Sequence, residues 1–122
     1  MLVAAALLMF ATGLAHSYLG ERYLLMRLFR RDDLPRLFGG TRFTTGTLRF
    51  VWHLLTVVWW GIAVLTLRAS GQALDSRNVL GVFSTVALAS AVLPFVLTRG
   101  KHLSWIVFLV IGVLLRLAAN AT

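Results

Sequence analysis

Cysteine is absent from the 122 residues. That excludes a disulfide, a thiolate nucleophile, a Cys-ligated zinc and an iron–sulfur cluster. Acidic residues are almost as scarce. Glu21, Asp32, Asp33 and Asp75 stand against twelve Lys and Arg, for a formal net charge of +8. Proline occurs only at Pro35 and Pro94, so long stretches are free to be helical. The GxSxG elbow, the phosphate-binding loop and the HExxH zinc helix are all missing, and with them the local marks of three large enzyme classes. A membrane di-iron enzyme would need many more histidines than the three present. The expectation is a protein without enzymatic chemistry.

Apolar residues fill the space: 59% of the chain is hydrophobic and 13% charged, with a mean hydropathy of +0.85. A soluble domain of this size does not carry that balance. The apolar runs predict an all-α, polytopic membrane protein forming one transmembrane domain over residues 1–122. It is a four-helix bundle with spans at about 2–19, 50–67, 79–97 and 103–118. The first basic residue is Arg22, so the first span lacks the basic n-region of a secretory signal and reads as a retained helix. The basic residues lie between apolar runs and leave no soluble basic face, which argues against a nucleic-acid partner.

Residues 22–47 form the connector between the first two spans. On a helix, Arg22, Arg27, Arg30 and Arg31 occupy one half of the wheel, and Leu24, Leu25, Leu28 and Phe29 the other. This amphipathic segment reads as a lipid-facing basic anchor, with anionic lipids as its partners, either continuing the first span or lying in the interface. Thr45 or Thr47 would cap the second helix. The loop between spans two and three is expected at Arg68 to Asn78. Gly81, Ser84, Ala87, Ala91, Pro94 and Thr98 make a small-residue stripe on the third span, the signature of close helix–helix packing. Arg116, near the end of the short fourth span, is expected to snorkel to the interface.

Charge sets the expected orientation. Seven arginines from Arg22 to Arg49, with Arg99 and Lys101, put nine basic residues on one side; Arg68, Arg77 and Arg116 put three on the other. The positive-inside rule then places the connector in the cytoplasm and both termini outside it.

Within this apolar frame the stretch Thr12 to Glu21, TGLAHSYLGE, stands out for its His, Ser and Glu. His53 lies at similar depth on span two and His102 opens span four on the same side. Three histidines and the only glutamate therefore gather near one membrane face. His16, Glu21, His53 and His102 are candidate ligands for a transition-metal ion such as zinc or iron. His16 and Glu21 are five apart, which is off the same-face spacing of a helical ligand pair unless the helix bends at Gly20. The same residues also suit a proton site, or a hydrogen-bonded layer that only fixes helix packing. A third reading is a b-type haem held axially by His16 and His53, with Gly13 and Gly20 making room and Trp52 and Trp59 lining the macrocycle. Ser17 cannot pair with the adjacent His16 on a straight helix.

The stretches AHSYLGERYLL (Ala15 to Leu25), LPRLFG (Leu34 to Gly39) and RFVWHLL (Arg49 to Leu55) resemble a set of small bacterial inner-membrane proteins with four spans and no assigned function. The likeness covers about residues 12 to 62. It implies a bacterial cytoplasmic membrane and transfers no mechanism.

The resulting expectation is a small integral inner-membrane protein, most simply a non-enzymatic helix-packing subunit or scaffold. The alternative is a metal-ion or proton binding and transport protein. Four short helices enclose little volume, so a pore would require a homo-oligomer or another membrane chain. The orientation is tested by cysteine labelling in cells. Ser76→Cys should react with an impermeant reagent from outside, and Thr44→Cys only after permeabilisation; the opposite pattern refutes the charge argument.

Overall fold

The computed structural model describes residues 1–71 and 74–122. Among them the regular structure is all helical, with four helices long and apolar enough to cross a membrane: α1 (Leu2–Leu28), α2 (Arg42–Gly71), α3 (Ser76–Leu97) and α4 (Ser104–Ala121). The all-α, four-helix membrane architecture expected from hydropathy is what the chain forms. Each helix packs on its neighbour in sequence, α1 on α2, α2 on α3 and α3 on α4.

Boundaries shift where polar residues carry helix. The amphipathic segment continues α1 rather than forming a separate surface helix. It does so through a π-helical turn at Gly20–Leu25, in which the Met26 N–H donates to the Glu21 carbonyl five residues back. Leu25 is buried there, while Arg22, Arg27 and Arg30 are exposed. Helix α2 begins eight residues before its apolar run. The connector therefore ends at Thr41, whose carbonyl accepts the Thr45 N–H, and neither Thr45 nor Thr47 is the cap. Thr44 instead donates to the Pro35 carbonyl at 2.7 Å and ties the connector to the helix start. Helix α3 starts at Ser76 because Asp75 caps it, its carboxylate accepting the Asn78 N–H at 2.7 Å. Gln72 and Ala73, in the expected Arg68–Asn78 loop, lie outside the described residues.

Close packing follows the small residues. Ser84, Ala87, Ala91, Pro94 and Thr98 are all buried, so the predicted stripe is the inner face of α3. Ser84 donates to the Gly112 carbonyl of α4 at 2.7 Å. Between α2 and α3 the tightest point is Gly46, where an added Cβ would lie 2.2 Å from the Leu97 carbonyl oxygen, a backbone atom that cannot swing away.

A pair of substitutions tests this packing. Gly46→Ala must push α3 away and should lower stability by about 1–3 kcal/mol. Gly81→Ala meets nothing within 4 Å and should be neutral or stabilising by up to about 1 kcal/mol through helix propensity. Unfolding measured in lipid or mild detergent separates the two.

Candidate functional site

Helices α1 and α2 are joined by side chains of α2 that donate to backbone carbonyls of α1. Trp52 Nε1–H bonds the His16 carbonyl at 3.1 Å, Thr56 Oγ1–H the Gly13 carbonyl at 3.1 Å, and Trp60 Nε1–H the Phe10 carbonyl at 3.2 Å. The donors recur every four residues along α2, and the acceptors every three along the antiparallel α1. Glycine is what allows the approach: a Cβ on Gly20 would sit 2.1 Å from the Trp52 indole nitrogen, and one on Gly13 2.7 Å from that of Trp60.

His16 belongs to this ladder. Its ring stacks on Trp52, with centroids 4.5 Å apart and planes within 6°, and its Nε2–H donates to the Trp52 carbonyl at 3.2 Å. His53 faces different partners. Its Nδ1 lies 2.8 Å from Ser17 Oγ and its Nε2 lies 3.2 Å from Glu21 Oε2. Ser17 Oγ lies in turn 2.6 Å from Thr56 Oγ1. Arg49 grips the carboxylate from the other side, with Nη2 2.7 Å from Oε1 and Nε 3.1 Å from Oε2, and its guanidinium lies over the Phe29 ring. Glu21 lies four residues after Ser17 and so on the same face of α1, the one that meets α2. The π-turn at Gly20–Leu25 adds one residue to the turn that follows, so that Gly20 and Leu25, five apart, are both buried.

The four candidate ligands do not converge. His16 is committed to Trp52. His102 stacks on Phe43 and meets Phe50 edge-on, with its Nδ1 2.8 Å from Ser104 Oγ. Among the described residues no group of three His, Asp or Glu is placed to hold a metal ion. Haem does not fit either. The room that Gly13 and Gly20 provide is taken by the indoles of Trp60 and Trp52, and the indole stacked on His16 occupies the space a porphyrin would need. Thr12, at the start of the polar stretch, is exposed. Arg22, Arg27, Arg30 and Arg31 are exposed, and Arg31 forks onto Asp33 at 2.6 and 2.8 Å. Hydrogen bonding from the Arg31 guanidinium holds the Asp33 carboxyl down at about 2. That pair is therefore intact above the ordinary carboxylate range and is lost only as pH falls toward 2.

Sequence reasoning missed the partners of His53. Ser17 was set aside because His16 beside it points elsewhere, yet Ser17 meets His53 across the interface. Thr56, one turn from both Trp52 and Trp60, was the available signal. Arg49, Glu21 and His53 open onto a cleft of about 530 Å³ whose far wall is Val92, Leu93 and Val96 of α3. Ser17 stands behind His53, bonded to Thr56, and does not line the cleft. A serine–histidine–carboxylate sequence is thus present, but its hydroxyl is turned away from the space a substrate would occupy.

No protein-family model matches this sequence, and no curated protein or solved structure matches it. The chemistry has to be read from the geometry alone.

A double-mutant cycle measures the site's central pair. Glu21→Gln and Arg49→Gln should each destabilise α1–α2 packing, with a coupling of about 1 kcal/mol for this half-buried bidentate contact. Pairing either with His102→Gln should show additivity.

Proposed function

We propose that this chain is a small, non-enzymatic, multi-pass protein of the bacterial inner membrane, acting as a helix-packing subunit whose first two helices bind a proton near the cytoplasmic face. The carrying observation is the unbroken chain Glu21–His53–Ser17–Thr56 with Arg49 at its open end.

Counting protons along that chain gives it two consistent states. A carboxylate only accepts, so His53 Nε2 carries hydrogen in both. With a neutral imidazole, Nδ1 accepts from Ser17 and Ser17 accepts from Thr56, whose single hydrogen is then withdrawn from the Gly13 carbonyl. With an imidazolium, Nδ1–H donates to Ser17, Ser17 to Thr56, and Thr56 to the Gly13 carbonyl. Both hydroxyls reverse by rotation alone, and every heavy atom keeps its place. A proton taken up at His53 from the cleft is therefore registered at the backbone of α1 in the heart of the interface. Among the described residues the chain of side-chain hydrogen bonds ends at the Gly13 carbonyl, which favours proton binding by a subunit over conduction by this chain alone. The resemblance to small bacterial inner-membrane proteins supports the location, and the nine basic residues at the connector end support its cytoplasmic orientation. Anionic lipids on Arg22, Arg27, Arg30 and Arg31, and a homo-oligomer or a larger membrane complex, complete this reading.

Nitrogen-15 NMR of labelled histidine across pH tests it. His53 should show only two forms, neutral with hydrogen on Nε2 and doubly protonated, and their exchange should disappear from the Gly13 and Thr56 signals in Ser17→Ala. A neutral form with hydrogen on Nδ1, or a His53 that does not titrate with the protein folded, overturns the proposal and leaves a purely structural polar layer.

A further inference from the structure

At the opposite end of the molecule from His53, the helices enclose a second and larger cleft of about 640 Å³. Its walls are mostly apolar, with Val64 of α2 and Val82 and Val86 of α3 among them, and its polar lining includes Arg68, Arg77 and Arg116. Each arginine is held by a neutral acceptor on a neighbouring helix. Arg68 donates to Asn78 Oδ1 at 2.5 Å, Arg77 to the Ala119 carbonyl at 3.2 Å, and Arg116 to Thr85 Oγ1 at 3.2 Å. Among the described residues no carboxylate pairs with any of the three. The one acidic side chain near this end, Asp75, is spent on the α3 N-terminus.

Arg116 is the telling member. It was expected to snorkel out to the interface, but it reaches sideways to α3. Its acceptor Thr85 lies nine residues into α3, roughly 13 Å along the helix from Ser76. A guanidinium held at that depth beside lipid is costly unless an anion accompanies it. Three cations without a matching acid, graded from the helix ends into an apolar cleft, have the charge and shape of one kind of molecule.

We propose that this cleft binds an anionic phospholipid, its phosphate gripped by Arg68, Arg77 and Arg116 and an acyl chain lying along Val64, Val82 and Val86. Guanidinium groups suit this role because they offer paired donors to phosphate oxygens. Neutral anchors pre-orient them and leave further N–H groups on each guanidinium to face the headgroup. The site does not depend on the His53 relay: Arg68 lies roughly 22 Å further along the same helix.

Native mass spectrometry of the full chain, released from nanodiscs of mixed phosphatidylglycerol and phosphatidylcholine, tests the proposal. The wild type should retain phosphatidylglycerol selectively. Arg116→Gln should cut retention about tenfold, as expected for loss of one bidentate charge-assisted contact. Arg116→Lys, which keeps the charge and guards against a folding artefact, should lie between the two. Lys101→Gln, an exposed cation at the other end, should leave the tightly held lipid in place. Equal retention of both lipids, an equal loss caused by the Lys101 change, or displacement by inorganic phosphate would each overturn the proposal. So would burial of the three arginines in a subunit interface, seen as a dimer that survives lipid removal.

Discussion

The pairing of α1 with α2 depends on α2 side chains reaching α1 backbone. In hydrocarbon, apolar contact does not drive helices together as it does in water, so directional bonds and close approach carry the association. Trp52, Thr56 and Trp60 supply the bonds, and Gly13 and Gly20 supply the approach. Because the acceptors are carbonyls already engaged within α1, each bond adds a second donor and leaves the helix intact. Everything polar between these helices is placed by that ladder. It fixes His16 against Trp52 and so releases His53, the next residue along α2, to face Ser17 and Glu21.

Glu21 is the only glutamate of the chain and sits where α1 passes from its apolar to its amphipathic half. One turn beyond Ser17, it shares the face of α1 that meets α2, and so reaches Arg49 and His53. The π-turn over Gly20–Leu25 then adds one residue, so that Leu25, five residues after Gly20, returns to the buried side. Arg49 then balances the charge, and His53 acts as the adjustable partner. The two ends of the molecule thus treat charge differently. At the His53 end the cation and carboxylate come from the chain itself, whereas at the Arg116 end three cations have only neutral anchors.

Hydropathy was enough to read the four spans, and the small-residue stripe on α3 was legible because packing distance leaves a pattern in residue size. The α2 start was not, since Arg42 to Arg49 is polar and helical only because Thr44 ties it to Pro35 and Gly46 lies against Leu97. The polar layer was half legible. His16, Glu21 and His53 were visible as residues out of place in an apolar run, but their sorting into two separate networks depends on which way adjacent side chains turn. His16 and His53 lie at matched depth and still do not meet, because Trp52 stands against one and Ser17 against the other. His102 shares the same end of the bundle, yet Phe43 and Phe50 enclose it. Depth can be counted along a sequence, whereas the partner each side chain meets across the interface cannot.

The central claim is that α1 presents Glu21 to His53 across the α1–α2 interface. Solid-state NMR can measure this directly in lipid, through the dipolar coupling between ¹⁵Nε2 of His53 and the ¹³C-labelled carboxylate of Glu21. The account predicts a strong coupling, consistent with an Nε2···Oε2 separation of 3.2 Å, and its weakening in Gly20→Ala, whose added Cβ would meet the Trp52 indole and push α1 from α2. A Glu21 carboxylate uncoupled from His53 in the wild-type protein would contradict it.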